Sequence, residues 1–243
     1  MRFILLSMLL LTMANAFAQP NKSNNRFLEA GVLFGLINYS GDLAESQVEL
    51  SETTFGAGVF TRYHFSSCFA LKATFFTGML SGTDAHANDP LLQARSLQFN
   101  SNILELSLTG EWNFLNIKPI QNNGIRTVRI VPFLYLGVGG LIMQPEVEYF
   151  GPPEAFSVNV QYSLPEQGLH KKALTVPFGG GLRAQITDRI TVGAEGSWSP
   201  VLSDYLDGVS LNGNPKRKDW FYSAFVTLSV SLTQPGKMGA NAL

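Results

Sequence analysis

The chain has 243 residues, and its 17 bases and 18 acids leave a formal charge of −1 at pH 7, which gives no basis for nucleic acid as a partner. Charged residues make up only 14% of it, against about 25% in an ordinary globular protein, while hydrophobic residues reach 45% and aromatics 12%. Cys68 is the only cysteine, so no intramolecular disulfide can staple the fold.

The chain opens "MRFILLSMLLLTMANAFA": a basic start at Arg2, an apolar run from Phe3 to Leu11, and Ala16 and Ala18 around Phe17. This is the pattern of a secretory signal peptide, so residues 1–18 are expected to be cleaved and the remainder exported. Past this segment no stretch approaches the roughly 18 apolar residues that a helical span needs. An exported, weakly charged, aromatic-rich chain without apolar helices suggests a sheet whose outside is apolar.

From residue 27 onward the hydrophobic period is two. In "LEAGVLFGL", Leu28, Ala30, Val32, Phe34 and Leu36 share one face, and Glu29, Gly31 and Gly35 take the other. The segments "FGAGVFTRYHF" from Phe55, "FALKATFFTGM" from Phe69 and "ILELSLTGEWNF" from Ile103 repeat the pattern. "RIVPFLYLGVGGL" from Arg129 is apolar on both faces, and its Pro132 belongs near the start of a strand. "LTVPFGGGLRAQI" from Leu174, "ITVGAEGSW" from Ile190 and the run from Trp220 to Leu232 complete eight expected strands.

The connections alternate in length. Residues 66–67, 115–128 and 187–189 are the shorter links; 37–54, 80–96, 142–172 and 199–218 are long. Short turns on one rim and long loops on the other, with an even strand count, predict an eight-stranded antiparallel transmembrane β-barrel of the bacterial outer membrane over residues 27–232, in contact with membrane lipid. Residues 233–243 form a short tail. A soluble sandwich or lipocalin would turn its apolar face inward and need more charge outside than this chain has.

An eight-stranded barrel is filled by side chains. Glu29, Arg62, His64, Lys72, Glu105, Glu111, Arg183 and Glu195 fall on the non-apolar parity of their strands and are expected to form a buried polar network in the lumen, leaving no open pore. Enzyme chemistry finds little support. The three histidines, His64, His86 and His170, stand beside no nucleophile motif. No spacing suits zinc, Asp204 and Asp207 lack the oxygen density of a calcium loop, and the glycine runs sit inside strand patterns. No cofactor, metal or small-molecule substrate is expected.

Several segments carry a family resemblance: "NYSGDL" from Asn38, "TRYHFS" from Thr61, "ARSLQFNSNILELS" from Ala94, "PFLYLGVGG" from Pro132, and "DYLDGVS" from Asp204 followed by "GNPKRKDWF" from Gly213. Together they resemble a Bacteroidota family of small outer-membrane barrels that includes the Por component of the type IX secretion and gliding apparatus, over most of the exported chain. The resemblance implies a non-enzymatic anchor or scaffold that contacts periplasmic secretion-ring proteins. On the short-turn rim only 115–128 is long enough for a specific surface. It and its flank carry Lys118, Arg126 and Arg129 with no acid between Leu115 and Ile130, so these bases are the expected partner-binding residues. The rival reading is a surface receptor or adhesin acting through the 142–172 loop.

Overall fold

The computed structural model describes residues 26–40, 52–84, 93, 96–115, 128–152, 171–202, 206 and 219–233. The expected signal peptide, almost all of the tail, and the candidate residues Lys118 and Arg126 lie outside these. Nine strands follow in chain order: β1 Phe27–Ser40, β2 Thr54–His64, β3 Phe69–Thr83, β4 Leu97–Trp112, β5 Arg129–Tyr149, β6 Lys171–Thr175, β7 Phe178–Gln185, β8 Ile190–Pro200 and β9 Trp220–Ser231. Every neighbour is antiparallel; β1 pairs with β9 and β4 with β5, so the sheet closes and has no free edge through the belt.

The barrel has eight staves, because β6 and β7 are one stave interrupted. The register of β6 against β5 continues unchanged into β7: Thr175 lies opposite Gly139, and Phe178 opposite Leu136. Pro177 makes the gap. Its carbonyl accepts from Gly137 N at 2.9 Å, but it has no N–H to return. Pro132 costs nothing similar, since β4 joins β5 only from Leu134 upward.

Parity decides what each side chain meets. The outward set includes Val32, Phe34, Val59, Phe75, Leu106, Leu108, Leu136, Val138, Leu182 and Val226, all exposed, with Leu106 and Val226 at 61%. Large apolar side chains on this scale are stable only against lipid. Along β4 this belt runs from Leu104 to Phe114, and at about 3.3 Å per residue and about 40° of tilt it rises about 25 Å, the height of an outer-membrane apolar band. Tyr63, Trp112 and Phe114 mark the belt at the short-turn rim; Phe55, Trp198 and Trp220 mark it at the long-loop rim.

Two expectations need correction. The strands outrun the apolar alternation at the long-loop rim: β1 continues to Ser40, β3 to Thr83 and β5 to Tyr149, so the connections are shorter than 37–54, 80–96 and 142–172. Beyond the belt the outward positions turn polar, as at Asn100, Asn102, Glu146 and Glu148, and the hydrophobic period fades although the ladder persists. The lumen, moreover, is not polar throughout. Its long-loop half is an apolar core of Leu33, Ile37, Phe76, Leu80, Phe99, Ile103, Leu141, Met143, Phe221 and Phe225, with Leu206 packed onto it.

Candidate functional site

All eight lumen candidates are buried, and each points inward from the middle or short-turn half of its strand. Glu111, 1% exposed, is the hub: its Oε2 accepts from Arg183 Nη1 at 2.8 Å and is ion-paired with Arg62, whose Nε stands 2.9 Å away. Arg62 Nη1 reaches Glu29 Oε2 at 2.8 Å, and His64 Nε2 stands 3.5 Å from the same oxygen while its ring stacks on Phe27. Lys72 Nζ holds Glu195 Oε1 at 2.5 Å across the lumen. Glu105 differs, because it meets no cation among the described residues and instead accepts a bond from Thr175 Oγ1 at 3.3 Å.

Aromatic faces cover the cations of this charged tier, and Phe60 among them belongs to the apolar core as well. The Phe60 ring lies 4.8 Å from the Arg62 guanidinium carbon and 4.9 Å from Lys72 Nζ, and Phe133 lies 4.1 Å from the Arg183 guanidinium carbon. Each cation therefore has a carboxylate on one side and a π face on another, the arrangement that makes buried charge tolerable. Sequence reasoning passed over Asn113, which accepts from Arg183 Nη2, and Thr175 and Phe60. Asn113 shares the parity of Glu111, so its position was readable. Phe60 is an apolar residue on the polar parity, and only the tertiary contact gives it a role.

At the short-turn rim the β2–β3 turn is held tightly. Ser66 Oγ accepts from Cys68 N and Phe69 N, while Asn113 donates from Nδ2 to Ser67 O and from N to Cys68 O. Through Asn113 the ion network is thus bonded to the rim. Arg129 begins β5 opposite Gln185. The structure brings the lumen residues together; of the partner-binding candidates it places only the Arg129 backbone. Among the described residues no group of three metal-ligating side chains occurs, and around His64 the neighbours are Glu29, Arg62 and Phe27, with no nucleophile paired to it.

A closed antiparallel sheet with a lipid-facing apolar belt and charges sequestered inside defines a transmembrane β-barrel of the outer-membrane class. The chain belongs to the family described as domain of unknown function DUF6089, whose model matches residues 3–234. No curated protein matches the sequence. Among solved structures it is similar to neisserial surface protein A, with 8% identity over 87% of this chain and 100% of that one and a TM-score of 0.48. It is also similar to Ail, the attachment invasion locus protein of Yersinia pestis (11% identity, 84% and 99% coverage, TM-score 0.41), and to OprG of Pseudomonas aeruginosa (10%, 86% and 97%, 0.41).

Proposed function

We propose that this protein is a non-enzymatic barrel of the bacterial outer membrane that anchors periplasmic ring proteins of the type IX (Por) secretion and gliding apparatus. The observation that carries the anchoring role is the filled lumen: a charged tier bonded across the barrel and an apolar tier above it leave the molecule suited to hold position, not to pass solutes. The assignment to type IX secretion rests on the sequence resemblance. In this reading the short-turn rim faces the periplasm, and Lys118, Arg126 and Arg129 meet an acidic partner surface.

The triple variant Lys118→Ala, Arg126→Ala, Arg129→Ala is expected to keep the heat-modifiable barrel while losing most co-purification of periplasmic partners and most bulk type IX secretion. The wild-type contact should itself weaken as salt rises, because exposed charge pairs are screened beyond about 8–10 Å near physiological ionic strength. A second reading, a surface receptor, is favoured by the raised polar wall of Asn100, Asn102, Glu146 and Glu148 above the belt. Normal secretion in the triple variant, combined with loss of function on deleting residues 153–170, would decide for the receptor.

A further inference from the structure

Between the two tiers lies a layer of small polar side chains. Thr74 stands opposite Ser107, Ser107 opposite Gly139, and Gly139 opposite Thr175, all on the inward parity of their strands. Arg62 and Glu111 below this row, and Ile103 and Leu141 above it, are each only 1% exposed. Thr74 at 8% and Ser107 at 6% nevertheless keep some surface, and between two sealed layers that surface faces space enclosed in the lumen. Gly139 adjoins it: a Cβ there would stand 2.5 Å from Thr175 Oγ1, 3.0 Å from Ser107 Cβ and 3.4 Å from Glu105 Cδ.

Glu105 leans into this layer from one step further up β4. Its register partners are Phe76 and Leu141, both part of the apolar core. Thr175 Oγ1 donates to its Oε2, and the Ser107 hydroxyl stands beside the carboxylate. No base reaches it among the described residues. The other lumen charges are already matched, Glu29, Glu111 and Glu195 against Arg62, Lys72 and Arg183, with His64 at Glu29. Glu105 is thus the acid left over, and an ionised carboxylate without a compensating charge is costly in so apolar a setting.

We propose that the Glu105 carboxylate, with the hydroxyls of Ser107 and Thr175, holds one small monovalent cation, of the size of sodium, in the enclosed layer. An all-oxygen donor set suits a hard cation, whereas zinc or copper would call for nitrogen or sulfur. The single charge follows from the count: a divalent ion would replace one unmatched negative charge by one unmatched positive charge. Thr175 ends β6 just before the interruption at Pro177, so the ion would pin that stave to β4 across β5. The site does not depend on the anchoring role, and each can fail without the other.

The test uses the full-length barrel, refolded into detergent micelles in sodium chloride or in N-methylglucamine chloride at equal ionic strength and pH, so that an enclosed site can fill. Melting is followed by tryptophan fluorescence. Sodium is expected to raise the melting temperature of the wild type by about 2–4 °C over the bulky organic cation. Glu105→Gln, which keeps an acceptor for Thr175 but not the charge, should melt alike in both salts, and Thr175→Val should lose most of the sodium shift. Equal melting of the wild type in the two salts would overturn the proposal, and so would a sodium shift that persists in Glu105→Gln. A wild-type melting temperature that moves with pH in both salts alike, and no longer moves in Glu105→Gln, would give the compensating charge to a proton and overturn it as well. Should Thr175→Val fail to fold, the comparison of wild type with Glu105→Gln still decides.

Discussion

Glu111 and Glu105 show how two carboxylates on one strand, both inward and both buried, come to differ in worth. Glu111 receives two guanidinium groups on a single oxygen, whereas Glu105 receives a hydroxyl. Removing one member of a buried ion pair leaves its partner uncompensated, at about 3–5 kcal/mol. Glu111→Ala leaves Arg183 without its carboxylate and Arg62 with Glu29 alone, so it should fall within that range. Glu105→Gln retains an acceptor for Thr175 and should cost about 1 kcal/mol or less. Urea unfolding in lipid vesicles, followed by tryptophan fluorescence, gives both numbers, and equal shifts would show that the ion pairs do not carry the tier. The inward parity of both acids was legible in "ILELSLTGEWNF", because Glu105 alternates with Leu104 and Leu106 and Glu111 with the lipid-facing Trp112, which leaves each charge only one place to go. Which acid would find an arginine was not legible, since Arg62 and Arg183 stand 49 (111 − 62) and 72 residues from Glu111 in the chain and meet it only across the lumen.

At the scale of the strand, glycine and proline show where the wall tolerates change. Gly140 faces outward, and a Cβ there would have open space around it; Gly179 faces inward, where a Cβ would run into Gly196 O and, at 2.8 Å, the Tyr135 hydroxyl that donates to that same carbonyl. Gly140→Ala is therefore expected to stabilise the barrel by about 0.5–1 kcal/mol, the usual gain on replacing a strand glycine. Gly179→Ala should destabilise by about 1–3 kcal/mol through overpacking. The temperature at which each loses heat-modifiable mobility on gels checks the signs. The glycine runs "GVGG" and "FGGGL" were readable as wall and not phosphate loop, because they continue a strand period. That Pro177 interrupts the sixth stave while leaving its register intact was not readable, for a proline in a pattern does not say which neighbour its missing donor would have served. The same limit hid the length of β5: past Met143 the outward residues are polar because they stand in water, and a pattern tuned to lipid stops there.

For the whole molecule the two tiers act in series, which fixes what opening one of them would do. The charged tier is joined by bonds that run from β1 through β2 and β4 to β7, and from β3 to β8, while the apolar tier closes the section above with Leu33, Phe76, Ile103, Leu141 and Phe225. Composition and parity pointed to a filled barrel, yet they assigned the filling to charge alone, since an inward leucine on a strand with an apolar outer face looks the same as an outward one. The second tier matters for conduction. Ions crossing the charged layer would still have to shed their water to pass side chains without polar groups, a step that costs several kcal/mol or more per ion. Wild-type barrel in planar bilayers should therefore show no conductance above background. The double variant Arg62→Ala, Glu111→Ala, which hollows the charged tier and takes both members of the pair together, should remain equally silent as long as it folds. Discrete current steps in the wild type would contradict the filled lumen. Steps confined to the double variant would show that the apolar tier is no seal and that the ion network alone keeps the barrel shut.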